Sequence, residues 1–201
     1  MDTFILPTLP GELHWEKPPL DWKIRSDNGL TIVAGENTDI FRDPSGKIPR
    51  DDAPAALFTP SDTSFILSAR IMVNFNSDFD AGGILLYERD DLWAKLCFEY
   101  SPQKQPMVIS VVTRGTSDDC SSVIIDGREV YLRVALTSHT IAFHYSLDGS
   151  YWHFVRFFSL GILKNLQVGF CAQAPAGKQC TAVFSEIRYQ AKLLKERRSG
   201  E

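Results

Sequence analysis

Short apolar segments separated by turn-forming residues fill the chain from Phe65 to Tyr189, and this pattern constrains its fold more than any other feature. The segments are rich in β-branched and aromatic residues, as strands are. Strands at this spacing, with no helical stretches between them, are typical of an all-β, two-sheet antiparallel sandwich of the jelly-roll kind. The predicted strands are Leu30–Val33, Phe65–Asn74, Gly83–Glu88, Trp93–Tyr100, Val108–Arg114, Val130–Leu136, Thr140–Tyr145, Trp152–Phe158, Gln167–Ala172 and Ala182–Tyr189.

The 201 residues are predicted to form one domain and a tail. Proline and turn formers are frequent in residues 1–60, which leaves room for short strands but not for a long helix. We assign residues 1–190 to a single β-sandwich domain, with residues 1–60 as its Pro-rich start, and residues 191–201 to a short basic C-terminal tail. The one helix that we predict lies in this tail, near Ala191–Arg197. A large sandwich accommodates a domain of this length.

The charge balance and the first residues exclude several classes of function. Twenty-one basic residues against twenty-five acidic ones give a net charge of −4, without the basic cluster that nucleic-acid binding requires. No segment has the roughly 20 apolar residues of a membrane helix, and the start lacks the basic region of a secretory signal. We therefore expect a cytoplasmic protein that binds neither nucleic acid nor a membrane and uses no cofactor.

The four cysteines, Cys97, Cys120, Cys171 and Cys180, are expected to be free thiols, because the cytoplasm keeps thiols reduced. Their spacing is not that of a zinc site. Acidic residues in segment 76–80 could offer oxygens to calcium, but a turn whose side chains bond their own backbone is the more common arrangement. We assign no metal site.

Two hairpins can be predicted at residue level. Asp148 and Gly149 form a strong two-residue turn signal. With this pair at the centre, the cross-strand pairs are Tyr145–Trp152, His144–His153 and Phe143–Phe154, with the aromatic residues toward the core and both histidines outside. Two histidines are too few ligands for a tetrahedral metal site. The second turn, at residues 174–177, places Cys171 opposite Cys180 in one hairpin.

Strand alternation selects a candidate binding face. In Trp93–Tyr100, one face carries Ala94, Leu96, Phe98 and Tyr100, and the other carries Trp93, Lys95, Cys97 and Glu99. A neighbouring strand could add Ser110 and Arg114. An aromatic ring beside charged groups suits a sugar-like ligand, and we expect these side chains to line a pocket of roughly 300 Å³ or more. The alternative is a cross-strand ladder of charges that faces solvent.

Several segments resemble a known family. The hairpin segment 145–152 resembles that of concanavalin-A-like lectin/glucanase sandwiches. The segments Thr38–Phe41, Asp80–Ile84, Trp93–Lys95, Ser110–Gly115 and Val168–Phe170 resemble, in this order, the family called domain of unknown function 1349. The resemblance implies a concanavalin-A-like fold and adds Asp39 to the candidate binding residues. The family includes fungal cytoplasmic proteins described as regulators of enolase, which implies a role near a glycolytic enzyme.

Catalytic motifs are incomplete in this chain. Glycoside hydrolysis needs two carboxyl groups on either side of the scissile bond, whereas Glu99 is the one acid on its strand, and Glu88, Asp90 and Asp91 lie in a predicted loop. We therefore assign no catalytic residue and favour a non-catalytic binding or regulatory protein, whose partner is a glycolytic enzyme or a sugar-like ligand. The alternatives are a carbohydrate-binding module and a glycoside-active enzyme with an atypical carboxylate pair.

Overall fold

A computed structural model describes residues 3–201 as strands joined by turns and loops. Alternating apolar residues and frequent turn formers give strands rather than helices. The strands are β1 (Thr3–Phe4), β2 (Leu13–Lys17), β3 (Asp21–Ile24), β4 (Leu30–Gly35), β5 (Ile40–Phe41), β6 (Arg50–Asp51), β7 (Ala55–Phe58), β8 (Ser64–Asn74), β9 (Ala81–Arg89), β10 (Leu92–Tyr100), β11 (Pro106–Arg114), β12 (Thr116–Ile124), β13 (Glu129–Thr137), β14 (Thr140–Ser146), β15 (His153–Phe158), β16 (Gln167–Gln173) and β17 (Gln179–Gln190).

Two large antiparallel sheets pack face to face. The first sheet has eight strands in the order β1-β2-β7-β16-β9-β10-β11-β12, and the second has seven in the order β15-β14-β13-β8-β17-β4-β3. A small third sheet consists of β5 and β6. The predicted two-sheet antiparallel sandwich is thus confirmed. Within residues 3–201 no helix is long and apolar enough to cross a membrane.

The main core lies between the two large sheets. Every second residue of the central strands points into it, and Ala94, Leu96 and Phe98 of β10 are buried there as their alternation predicts. Phe170 and Phe184 meet across the sheets with ring centroids 4.8 Å apart. Each fully buried side chain of this size contributes roughly 1.5–3 kcal/mol of hydrophobic stabilisation.

The helix predicted near Ala191–Arg197 is wrong. Residues 191–201 form turns and irregular structure that cross the outer face of the seven-stranded sheet. Leu194 packs there against Ile66, Ala135 and Ala142. A helix of seven residues is too short to be stable by itself, because nucleation is unfavourable and few hydrogen bonds follow it. The contact of Leu194 with the sheet therefore determines the conformation of the tail.

The predicted register of the β14–β15 hairpin is also wrong, by one residue near the turn and by two residues beyond a bulge between Phe143 and His144. The strands end at Ser146 and resume at His153, so Tyr145 pairs with His153 rather than with Trp152. The connection is longer than two residues because the carboxylate of Asp148 accepts hydrogen bonds from two later backbone N–H groups. Trp152 lies on the outer face, where it contacts Arg133, and not in the core.

Cys171 and Cys180 do not face each other. Cys171 lies on β16 in the eight-stranded sheet and pairs with Ala55 and Gly83, whereas Cys180 lies on β17 in the seven-stranded sheet and pairs with Ala34. The turn between them passes from one sheet to the other instead of closing a hairpin. All four cysteines are free thiols. The side chain of Cys171 lies close to that of Cys97, and Gly83 separates their backbones.

Candidate functional site

The outer face of the eight-stranded sheet carries the candidate residues of β10. The side chains of Ala94, Leu96 and Phe98 fill the core. The residues between them therefore point to this outer face, namely Trp93, Lys95, Cys97 and Glu99. The β10–β11 register places Thr113, Val111, Ile109 and Met107 beside them. Four neighbouring side chains of β11 are thus apolar or short, and none carries a charge.

Ser110 and Arg114 lie on the opposite face, so their predicted position beside Lys95 is wrong. Ser110 pairs with Leu96, and its side chain is buried between the sheets. Arg114 pairs with Leu92 at the end of its strand, and its guanidinium donates to the carbonyl oxygen of Ser159. A shift of one residue in strand register exchanges the two faces of a strand, and this register is not visible in the sequence.

A segment that we call the cover, residues 36–54, lies over the outer face. It contains β5 and β6, and its Ile40 and Ala53 join Trp93, Leu85 and Val111 in a second apolar cluster. Two hydrogen bonds from Arg42 attach the cover to the sheet. Its backbone N–H donates to Ser117 Oγ over 2.9 Å, and its Nε donates to the carbonyl oxygen of Asp90 over 2.6 Å. The cover is therefore part of the folded domain.

Lys95 connects the sheet to the cover. Its Nζ donates to the carbonyl oxygen of Ile40 (2.8 Å) and to Oε1 of Gln173 (2.7 Å), and it lies 3.7 Å from Oδ1 of Asp39. The side chain is only 2% exposed. Burial is the largest single influence and lowers the pKa of Lys95, but the surrounding groups, Asp39 foremost, together outweigh it and raise the pKa above its ordinary value. Lys95 is thus a charged group, with two hydrogen bonds and a carboxylate neighbour, that fastens the cover to the sheet.

The expected pocket beside Trp93 is not there. The indole of Trp93 is 1% exposed, and its Nε1 donates to the carbonyl oxygen of Asp90. The space beside it has a volume of about 20 Å³, which holds little more than a water molecule. A drug-sized or sugar-sized ligand requires roughly 300 Å³ or more. Trp93 therefore packs under the cover instead of presenting a free ring for stacking.

Glu99 lies at the rim of the covered area. The residue is partly buried, and burial raises its pKa to about 8, an effect that Lys95 opposes and that the nearby Asp119 and Asp39 reinforce. The pKa of Asp119, on the edge strand β12 beyond β11, is also raised, chiefly by partial desolvation. Glu99 thus holds a proton near neutral pH, which is a property of some catalytic acids and also of structural carboxyls in low-polarity surroundings.

This raised pKa predicts a pH dependence of stability. Between about pH 4.5 and 8 the unfolded chain ionises Glu99 while the folded chain keeps it protonated, so the unfolded state binds fewer protons and the free energy of unfolding falls as pH rises. Glu99→Gln cannot ionise, and we expect its stability relative to the parent to increase by about 1–3 kcal/mol from pH 5 to pH 8. Urea unfolding at both pH values measures this, with Glu36→Gln, at an exposed position, as the control. If the stability of both variants relative to the parent changes equally between pH 5 and pH 8, the raised pKa of Glu99 is contradicted.

Two other acidic residues considered above accept hydrogen bonds from backbone N–H groups. Asp80 Oδ2 accepts hydrogen bonds from the N–H groups of Asn76 and Ser77, which is the turn arrangement expected as the alternative to calcium binding. The carboxylate of Glu88 accepts hydrogen bonds from the N–H groups of Lys164 and Asn165. Among residues 3–201, no group of three or more His, Cys, Asp and Glu side chains is arranged to hold a metal ion.

A second group of polar residues lies on the outer face of the seven-stranded sheet. His144 was predicted to lie on this face, whereas Arg133 and the tail that covers both residues were missed. Arg133 and His144 are paired across β13 and β14, and both are buried beneath residues 191–201. His144 Nε2 lies 2.7 Å from the carbonyl oxygen of Arg197, and Arg133 Nη2 donates to that of Gly200. Burial, with Arg133 nearby, lowers the pKa of His144 to about 4. The sequence feature that could have indicated this group is the single arginine, Arg133, within the otherwise apolar strand Val130–Leu136.

Comparison with known sequences decides the family. A family model described as "Protein of unknown function (DUF1349)" matches residues 15–192. The chain belongs to the DUF1349 family. The resemblance seen in its sequence segments is thereby confirmed. A relative of this DUF1349 chain, "Regulation of enolase protein 1" of Saccharomyces cerevisiae, is 28% identical over 168 residues, which cover 83% of each protein.

Solved structures support the same fold for this DUF1349 chain. A functionally unknown protein from Saccharomyces cerevisiae superposes with a TM-score of 0.80 at 25% identity, over 90% of this chain and 97% of that one. The GH43 protein BlXynB of Bacillus licheniformis superposes with a TM-score of 0.69 at 16% identity, over 87% of this chain but only 35% of that one. The likeness to the GH43 protein concerns the fold alone.

Proposed function

We propose that this DUF1349 protein is a non-catalytic cytoplasmic regulator that acts by binding another protein, and that its partner is the enolase of its own cell. The name of the Saccharomyces cerevisiae relative, which matches over 83% of both chains, supports the choice of partner. The likeness covers the whole domain rather than one motif.

One observation carries the choice of protein binding over sugar binding. The sheet face that holds Trp93 and Lys95 is covered by residues 36–54, and the space left beside Trp93 is about 20 Å³. An extended sugar chain needs an open groove with exposed rings. Opening such a groove would break the hydrogen bond from Lys95 to the carbonyl oxygen of Ile40 and its ion pair with Asp39, and would expose the apolar cluster around Ile40.

A protein partner has an exposed aromatic surface available on the other sheet. On the edge strand β15, Phe154 and Phe157 are 41% and 39% exposed, and both point outward beside the connection that holds Tyr151. Aromatic residues are enriched at protein–protein interfaces, and neighbouring exposed apolar side chains mark interaction sites more often than single ones do. We place the enolase contact on this surface, which we call the β15 patch.

Binding to purified enolase tests the proposal. We expect saturable association in calorimetry and a changed rate of enolase turnover when the protein is in excess. Truncating one interface aromatic typically costs about 1–3 kcal/mol of binding free energy, so Phe154→Ser should weaken association at least about fivefold. The matched control is Ile162→Ser, since Ile162 is 75% exposed but lies outside the β15 patch.

The two alternatives give different outcomes in the same series. Absence of association and of any effect on turnover would refute the proposed partner. Binding to immobilised glycans would favour the carbohydrate-binding module. Hydrolysis of xylan or β-glucan that disappears in Glu99→Gln would make Glu99 a catalytic acid and would overturn the non-catalytic proposal.

A further inference from the structure

A cavity under the tail is surrounded by polar residues that the proposed function leaves unused. This cavity has a volume of about 440 Å³ and lies between the outer face of the seven-stranded sheet and residues 192–201. Its walls include Ser68, Tyr131, Arg133 and Trp152, and on the tail side Lys195 and Gly200. A volume of this size is typical of a site for a small organic molecule.

Arg133 is the central feature of the cavity. It is 6% exposed, and within the described residues 3–201 no carboxylate forms a salt bridge with it and its Nε has no hydrogen-bond partner. One of its two Nη groups donates to the carbonyl oxygen of Gly200 over 3.0 Å. The guanidinium stacks on Trp152, 4.2 Å from the ring centroid. A buried cation without a counter-ion is costly, and an anion bound beside it would remove that cost.

The other charged groups around the cavity favour an anion as well. Lys192 and Lys195 contribute positive charge from the tail, whereas Arg188 of β17 already pairs with Glu186, its Nη2 lying 3.8 Å from Oε2. The acids on the sheet side are already engaged. Asp148 accepts backbone hydrogen bonds in its own turn, and Glu186 accepts the hydroxyl hydrogen of Tyr131 and pairs with Arg70. Glu201 is the other acid on the cavity wall.

We propose that this cavity, with Arg133 at its base, binds a small organic phosphate. A guanidinium presents parallel N–H groups that match two phosphate oxygens, and the lysines can approach the third. Tyr131 and Trp152 provide aromatic walls for the organic part of the molecule. The tail forms one side of the cavity, so binding also fastens residues 192–201 to the sheet.

Titration with glycerol 2-phosphate tests the proposal, with glycerol and inorganic phosphate as comparison ligands. We follow the indole N–H resonance of Trp152 in ¹⁵N-labelled protein. We expect saturable shifts with the phosphate ester, weaker binding of inorganic phosphate and no shift with glycerol. Arg133→Met keeps much of the side-chain volume but removes the charge, and it should weaken binding at least about tenfold.

Two further variants keep the experiment decisive if Arg133→Met does not fold. Lys195→Gln changes an exposed tail residue and should weaken binding about two- to fivefold at an unchanged melting temperature. Lys104→Gln removes an exposed lysine outside the cavity and should bind like the parent. Failure of the parent protein to saturate by about 50 mM ligand, or a folded Arg133→Met with parental affinity, would overturn the proposal.

Discussion

Replacement of Lys95 by methionine should lower the free energy of unfolding by about 3 kcal/mol or more. Methionine fills similar space but cannot donate, so the carbonyl oxygen of Ile40 and the amide oxygen of Gln173 lose their donor in a buried environment. The nearby carboxylate of Asp39 also loses its neighbouring cation. Urea unfolding followed by intrinsic fluorescence measures the change.

Lys104→Met is the matched control for this experiment. Lys104 also pairs with one aspartate, Asp78, but its side chain is 62% exposed. An exposed pair contributes roughly 0–1 kcal/mol, so we expect a small effect. Limited proteolysis adds a local readout, because loss of the Lys95 contacts should make residues 36–54 more sensitive to cleavage in the folded state. Equal stability of the two variants would show that Lys95 does not hold the cover.

The sheet architecture was predictable because strand alternation is a local property. Ala94, Leu96 and Phe98 follow one another at the period of a strand, so the side of β10 that faces the core could be assigned without knowing its neighbours. Most strands were found in the same way. The strand β12 was missed, because its sequence of polar residues reflects an exposed edge with one neighbour, and it lacks the apolar signal.

Pairing between strands was not predictable to the same degree. The sequence does not specify whether Lys95 lies opposite Ser110 or Val111, and this single step decides which face Ser110 and Arg114 occupy. The turn that follows β16 gives the same local signal whether the next strand returns in the same sheet or passes to the other one. In this protein it passes to the other sheet, which separates Cys171 from Cys180.

On both outer faces, the side chains of the sheet are covered by segments that are distant in sequence. Nothing near Trp93 indicates that Ile40 covers it, and nothing near Arg133 indicates that Gly200 approaches it. The usable signal is a charged residue on a strand that is otherwise apolar, as for Lys95 and Arg133. Such a residue is either paired or functional when it is buried. Lys95 has a carboxylate partner in Asp39, whereas Arg133 has none within the described residues, and for this reason we propose a ligand for the second face.

Gly169→Ala should destabilise the fold by about 3 kcal/mol or more, and the variant is expected to accumulate poorly. A Cβ atom on Gly169 would lie 2.0 Å from the carbonyl oxygen of Ala56 and 3.0 Å from the Cα atom of Leu57. Both atoms belong to the backbone of the paired strand β7, so relief would require the sheet to separate locally beneath the cover. A glycine inside an apolar strand is the sequence signature of such a close approach.

Gly35→Ala is the matched control, since Gly35 is also a strand glycine but has open space around it. The nearest atom to its added Cβ, the Cβ of Leu20, is 4.0 Å away. An alanine there restricts the unfolded chain and meets no obstacle in the folded one, so we expect a change within about 1 kcal/mol, with stabilisation as the favoured sign. Thermal and urea unfolding of both variants compare them directly. If Gly169→Ala unfolds at the same urea concentration as Gly35→Ala, the close contact between β7 and β16 does not limit this position.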